Sequence, residues 1–438
     1  MNILFFTPYY SMWNTTLIEN LLMEELSKDH KVNVLYCKDF MKNICIAQDA
    51  EHKSIFSPKE DKLKICKVCK NNFKKISNNP KINYINIDSY IPKHVDDKIK
   101  ELKFESMSNS QLLNYKVDNI EVGKMSLYEA SLRKKKTNFI IEDNEERCEL
   151  IDKLKQIIKF NYALKEIYSI TKPDYSLTTN GFYYISNFFL KFFEKKNINT
   201  VSLFNSQNYK FAREDLRICS SNELSDKYKL SENFKDYIHM PLIENSLEQA
   251  LLNVESHINK EHSHSFSPKY LKKIDIKKKF NIQNNKKIVL VTLSSQAEIF
   301  SAKYVLSHKF KEGIFNTQLD FIKFILEKSK ELEEYHFIIR THPRQYIGNI
   351  SEEIIEINKL DFNQYKNISI NTPHDNLSLF NFIKDIDFII NSWSSAAVEL
   401  GIFGINNITV FPQYALYPKE CMNIIESKNE FIGKVNSI

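Results

Sequence analysis

Two stretches decide the fold: His336-Phe337-Ile338-Ile339-Arg340-Thr341-His342-Pro343-Arg344 and, further along, Asp387-Phe388-Ile389-Ile390-Asn391-Ser392-Trp393-Ser394-Ser395-Ala396-Ala397-Val398-Glu399. Each opens on a short apolar run, which reads as a strand buried on both faces of a parallel sheet. The polar residues that follow then sit at the strand's C-terminal end, where open α/β sheets bind their ligands. Pro343 ends the first strand and fixes a turn, so His342 cannot lie in a regular helix. An imidazole there can donate to a phosphate oxygen, and Arg340 and Arg344 add charge-assisted bonds. Ser392, Ser394 and Ser395 fall where strand gives way to helix, and helix-start amides bind anions; one of the three can equally be an ordinary N-cap. Glu399 lies four residues beyond Ser395 on the same helix face and can accept from both hydroxyls of a ribose. Together these residues suit a nucleotide, with phosphates at one end and sugar hydroxyls at the other. The plainer alternative is a solvated loop histidine and a surface glutamate.

Working outward, strands alternate with helices along most of the chain, the signature of βαβ units and a parallel sheet. In the first half the pattern predicts strands at 3–6, 32–36, 175–178 and 200–204, with helices at 15–28 and 151–170. The aromatic stretch 182–193, FYYISNFFLKFF, reads as a core helix. Residues 38–136 are polar and lysine-rich and read as an insertion with small helices. A helical stretch over 232–260 leads into a polar linker at 261–268. A second α/β series then follows, with strands at 287–293, up to Arg340, 368–370, up to Ile390, and 407–410. Its helices are expected at 316–332, 375–384 and from Ser395. The division is therefore an N-terminal Rossmann-like domain, 1–265, and a C-terminal one, 266–438. At 438 residues the chain exceeds one typical core, in keeping with two domains.

Composition narrows the partners. The 61 basic and 55 acidic residues leave a net charge of only +6, too small an excess for a dedicated nucleic-acid binder. The runs at 133–136 and 272–287 read as solvated faces, with contact to an anionic membrane surface as the weaker alternative. No apolar stretch approaches the about 20 residues that span a bilayer. The N-terminus reads as a first strand rather than a leader, so a cytoplasmic protein is expected, peripheral at most to the inner face of the cytoplasmic membrane. Seven cysteines without a secretion signal argue against a disulfide framework. Cys37, Cys45, Cys66 and Cys69 cluster in the sequence as a candidate structural zinc site; the alternative is four reduced thiols.

The motif combination resembles a known group. Arg340-Thr341-His342-Pro343-Arg344, the serine-rich segment through Phe411 and the strand-loop from Val289 to Glu298 look like the nucleotide-binding domain of bacterial capsule and surface-polysaccharide glycosyltransferases of the GT-B fold. The HP and serine motifs are similar to those of sialyltransferases, Kdo transferases and CDP-glycerol polymerases. The resemblance implies two Rossmann-like domains facing a cleft, with a nucleotide-sugar donor (CMP-, CDP- or UDP-linked) and a glycan or lipid-linked acceptor. It implies that His342 contacts the donor phosphates, that Ser394 and Ser395 hold phosphate, and that Glu399 binds the ribose or sugar. His342 and Glu399 are thereby the catalytic candidates, and Ser294, Ser295 and Glu298 line the cleft. His374 joins the donor set as a base-stacking residue, with a solvated histidine as the alternative. No metal is implied for catalysis.

A base for the acceptor is not assigned. Asp39 and Asp215 follow expected strand ends, each equally an ordinary loop acid, so an inverting and a retaining course both stay open. Two further readings compete with transfer to a surface glycan such as capsule or lipopolysaccharide. One is a hydrolysing nucleotide-sugar 2-epimerase of the same fold; the other is a non-catalytic subunit of a polysaccharide assembly complex.

Overall fold

The structure is a computed structural model that describes residues 1–205, 216–220, 234–241, 245–261, 266–307, 309–415 and 417–438. Two compact units divide the chain, the first holding residues 1–133 and 138–223 and the second 134–137 and 224–438. The first sheet contains β1 (Asn2–Phe6), β2 (Lys31–Tyr36), β3 (Ile82–Asn86), β4 (Tyr175–Thr179), β5 (Asn199–Asn205) and β6 (Leu216–Ser220), in the order β3-β2-β1-β4-β5-β6. All pair in parallel except β6, which runs antiparallel to β5. The second contains β7 (Lys287–Thr292), β8 (Tyr335–Arg340), β9 (Ile368–Asn371), β10 (Phe388–Asn391), β11 (Asn406–Thr409) and β12 (Asn423–Ile424), all parallel, in the order β9-β8-β7-β10-β11-β12. Each sheet steps outward from its first strand and then reverses, which is the doubly wound Rossmann order. The switch points lie between β1 and β4 and between β7 and β10. The expected α/β class, with two Rossmann-like parallel sheets, is the observed one.

The central strands of the second sheet are buried along their length, β8 and β10 without a break. That follows from unbroken apolar runs covered on both faces. Val289, Val291, Phe337 and Ile339 pack with Phe321 and Ile325 on one face. Ile288, Leu290, Ile338 and Ile389 pack with Leu377, Phe382 and Leu400 on the other. In the first unit, α1 (Trp13–Leu26) and α2 (Lys59–Ile76) are crossover helices, and α3 (Asn144–Thr171) and α4 (Tyr184–Glu194) form the main helical layer. The aromatic helix α4 is buried on nearly every face, as a core helix should be, and Phe160 of α3 lies 4.9 Å from Phe6 of β1.

Five expectations are corrected. Residues 38–136 are not all insertion, because α2 and β3 complete a βαβ unit within them; β3 alternates too weakly to announce itself, its burial being only partial. The run at 133–136 is not a solvated face. Arg133 pairs with Asp49 and Glu149, while Lys135, 4% exposed, donates from Nζ to the carbonyl oxygens of Ile347 and Asn349 at 2.5 Å each. Carbonyl dipoles there replace the water a buried ammonium loses. The helix expected at 375–384 is two 3₁₀ turns, Pro373–Asp375 and Leu379–Asn381, because Asp375 caps back onto Thr372 and Asn376 takes φ 51. The helix expected over 232–260 is α5 (Ser246–Ile258), with a short turn at Phe234–Tyr237; residues 232, 233 and 242–244 lie outside those described. Helix α5 belongs to the second unit, so the units divide at Glu223/Leu224, ahead of the 265/266 boundary read from the sequence.

Candidate functional site

Register brings three strand ends level in the second unit. Thr292 closing β7 pairs with Arg340 closing β8 on one side and Asn391 closing β10 on the other. Beyond them opens a cavity lined from β7 by Thr292 and Leu293 and from β8 by Arg340, Thr341, His342 and Pro343. Ser394, Ser395 and Glu399 line it from the turn and short helix after β10. Its place at the C-terminal ends of the strands bracketing a switch point is the one α/β sheets use.

His342 has an extended backbone and caps the 3₁₀ turn Pro343–Tyr346, its Nδ1 accepting the Arg344 N–H at 3.3 Å. The proton of the neutral ring therefore sits on Nε2. Phe266 packs against the ring at 5.6 Å. Burial, with the Arg340 charge adding to it, pushes the imidazole pKa down to about 4, so His342 is neutral at physiological pH and offers one N–H. Arg340 is held from behind: its guanidinium donates to Asn371 Oδ1, to Ser267 Oγ at 3.1 Å and to the Leu377 carbonyl at 3.1 Å, over the Phe382 ring. Burial pushes its pKa down to about 10, with Glu399 and Asp375 opposing, so it stays cationic.

On the far wall, Ser395 Oγ donates to Glu399 Oε1 at 2.7 Å, the i,i+4 contact expected from spacing. His257 of α5 places Nδ1 4.0 Å from the other carboxylate oxygen. The helix-start amides are less available than the sequence suggests. Ser394 N–H donates to Asn391 Oδ1 at 3.2 Å, and Ala396 N–H donates to Ser394 Oγ at 3.3 Å. Polarity in the cavity comes instead from side chains: the Arg340 cation, the His342 N–H, the serine hydroxyls and the Glu399 carboxylate. That arrangement can hold an anion at one end and accept hydroxyl protons at the other.

The other sequence candidates are not cavity-lining. Ser392 is fully buried, its hydroxyl donating to the Thr292 carbonyl at 3.0 Å. Ser294 is tied through its backbone to Gln318, and Arg344 pairs with Glu298 beside Ser295. His374 is exposed, edge-on to Tyr346 at 5.5 Å. Asp39 pairs with Lys70 at 2.8 Å, and Asp215 lies outside the described residues.

Among the described residues no three Cys, His, Asp or Glu side chains converge as ligands of one ion would. Cys69 Sγ is instead met by the Ser11 N–H at 3.2 Å and donates to the Pro8 carbonyl at 3.8 Å; Cys66 Sγ is met by Gln48 Nε2 at 3.7 Å. Burial pushes the Cys45 thiol up to about 12 and raises the other three.

Sequence reasoning missed Phe266 and Ser267, which it assigned to a linker, and Asn391. Residues 262–265 of that linker lie outside the described residues. Asn391 is wholly buried and joins the strand ends: it accepts from Thr292 Oγ1 at 2.6 Å and donates to Tyr417 OH at 2.5 Å and to the Ser394 carbonyl at 3.1 Å. A buried amide with donor and acceptor both committed fixes the turn that carries Ser394 and Ser395. The first unit has a buried acid at its own switch point. Glu19 of α1 accepts from Thr179 Oγ1 at the end of β4, and burial pushes its carboxyl up to about 8.

No family model matches the chain, and no curated protein matches it in sequence. Among solved structures it is similar to KpsC from Thermosulfurimonas dismutans, a beta Kdo 2,4 transferase, at 10% identity over 58% of this chain and 74% of that one, TM-score 0.38. It is similar to a UDP-GlcNAc 2-epimerase from Methanocaldococcus jannaschii in complex with UDP-GlcNAc and UDP, at 12% identity over 99% and 91%, TM-score 0.30. A third is MnaA of S. aureus bound to UDP, at 11% identity over 100% and 88%, TM-score 0.32. The chain's own topology, two Rossmann-like sheets in tandem with the same doubly wound strand order, is that of the GT-B fold class.

Proposed function

We propose that this chain is a nucleotide-sugar-dependent glycosyltransferase that moves a sugar, or a polyol phosphate, from a CMP-, CDP- or UDP-linked donor to a bacterial surface glycan such as capsule or lipopolysaccharide. The observation that carries the reading is the second unit's cavity, where a buried arginine and a neutral Nε2–H histidine stand across from a carboxylate bonded to a serine. Negative charge accumulates on the nucleotide phosphate as the donor's glycosidic bond breaks. His342 would donate its Nε2 proton in a hydrogen bond to that phosphate, and Arg340 would hold the charge without moving, being braced by Asn371, Ser267 and the Leu377 carbonyl. Glu399 would accept from the ribose or sugar hydroxyls. No step in this account needs a proton from His342, in keeping with its depressed pKa.

A thermal-shift panel of CMP, CDP, UDP, GDP and their sugars tests it, because a ligand that binds the folded state must stabilise it. At least one nucleotide is expected to raise the melting temperature, and His342→Ala to remove that rise. Absence of any shift across the panel overturns the donor-site reading. Donor turnover without acceptor, yielding an epimer and free nucleoside diphosphate, would replace transfer by epimerisation. Binding without turnover under any acceptor would favour the assembly-subunit reading.

A further inference from the structure

Phe266 and Ser267 bring a separate segment of the chain to the cavity wall. Phe266 lays its ring against His342 at 5.6 Å, and beyond Ser267 the Tyr270 N–H donates to the Ile258 carbonyl at 3.2 Å, at the end of α5. The segment is thus anchored on both sides of Ser267.

Two donors hold the Ser267 hydroxyl. The Arg340 guanidinium donates to Oγ at 3.1 Å, and the Leu379 N–H donates to it at 2.8 Å. Neither can take a proton in return, because a guanidinium and a backbone amide nitrogen only give them. A hydroxyl has two lone pairs and one proton, so both lone pairs are committed and the proton is left to give. Among the described residues none accepts it, and the side chain lines the cavity.

The same accounting extends along this wall. His342 Nδ1 receives the Arg344 N–H, which leaves the Nε2 proton to give, and Arg340 is a cation bonded to Ser267. Arg340, His342 and Ser267 therefore all offer hydrogens, and none of them offers a lone pair. The Glu399 carboxylate stands on the far wall, already bonded to Ser395. What binds against Ser267 must supply acceptor oxygens, and negatively charged ones gain most beside Arg340. Donation from the guanidinium also polarises the hydroxyl, which strengthens the bond that it gives.

We propose that Ser267 is a further ligand-binding residue of this cavity, its hydroxyl donating to a phosphate oxygen of the bound nucleotide beside Arg340 and His342. The identity of the anion rests on the donor-site reading; the uncommitted hydroxyl proton does not.

Calorimetry on the full-length protein tests this with UDP, CMP and their phosphorothioates, in which sulfur, a weaker acceptor, replaces one nonbridging phosphate oxygen. Ser267→Ala is expected to weaken nucleotide binding about tenfold to a hundredfold, the worth of one hydrogen bond to a charged group, and Ser267→Thr to restore most of it. If Ser267 only braced Arg340, oxygen and sulfur ligands would lose affinity by the same factor. Direct donation couples the two changes: sulfur at the contacted position should cost the wild type and Ser267→Thr affinity that it does not cost Ser267→Ala. Ser267→Cys, whose thiol donates weakly, serves the same cycle where the alanine variant does not fold. Wild-type affinity in Ser267→Ala overturns the proposal, and so does an equal sulfur penalty in wild type and variant at every phosphate position. A wild type that binds neither UDP nor CMP sinks the donor-site reading, and the phosphate assignment of Ser267 with it.

Discussion

At the scale of single residues, the cavity pairs a permanent cation with a permanently neutral imidazole. With its pKa pushed down to about 4, His342 stays neutral across the ordinary assay range, so its contribution to an anion's binding is one N–H and not a charge. The consequence is specific. Affinity for a nucleotide-sugar, whose esterified phosphates keep a fixed charge in this range, should be level between about pH 5.5 and pH 7, whereas a histidine at its unperturbed pKa of about 6.5 would bind an anion more tightly on acidification. Calorimetry across that range checks it, and tightening towards acid would show that His342 charges. Arg340 makes the complementary prediction. Its guanidinium spans Asn371, Ser267 and the Leu377 carbonyl, a fork that a lysine cannot reproduce. Arg340→Lys should therefore lose stability as well as nucleotide binding, by about 1–3 kcal/mol for each buried acceptor left without its donor. A variant as stable as wild type in chemical denaturation would mean the fork is not needed.

At the scale of elements, the site is a property of how β7 and β10 end. Asn391 closes β10 and holds Thr292 of β7, Tyr417 and the serine turn through one amide. Asn391→Ala strips partners from several buried groups at once, so a cost of about 2–4 kcal/mol is expected, with loss of nucleotide binding even though Asn391 is not among the cavity-lining residues. Unchanged binding would show that the serine turn holds itself. What the sequence made legible follows the same division. Strands β7, β8 and β10 announce themselves because burial on both faces demands unbroken apolar runs, and the motifs after them then fall at one end of one sheet. Ser395 and Glu399 were legible as a pair because helical spacing alone brings them together. Strand β3 was not, since an edge strand with partial burial needs no such run. Nor were Phe266 and Ser267: each reaches the site across a sequence gap that no local pattern encodes. Ser392 shows the opposite error, a polar residue in the right motif whose hydroxyl is taken up by the backbone of the neighbouring strand.

At the scale of the whole molecule, buried titratable groups set how stability changes with pH. Glu19 and Glu353, one in each unit, have carboxyls pushed up from 4.5 to about 8. Between those values the folded chain keeps protons that the unfolded chain releases, so each group's contribution is present below about pH 4.5 and is lost as pH rises towards about 8. His336 and His342 are pushed down from 6.5 to about 4. There the unfolded chain takes up protons that the folded chain refuses, so stability rises with pH over that window. The two pairs oppose one another from about pH 4.5 to about pH 6.5, and above that the carboxyls act alone, at up to about 1.4 kcal/mol per pH unit for each. Lys135, pushed down from 10.5 to about 8 by burial and then by Arg344, reverses the trend only in alkali. The denaturant midpoint is therefore expected to change little from pH 5 to pH 6.5 and to fall from pH 6.5 to pH 8. In a Glu19→Gln, Glu353→Gln double variant that fall should vanish, and each single variant should retain about half of it, because the two groups sit in separate cores. A wild type whose stability is level or rising from pH 6.5 to pH 8 would show that both carboxyls are already ionised in the folded chain.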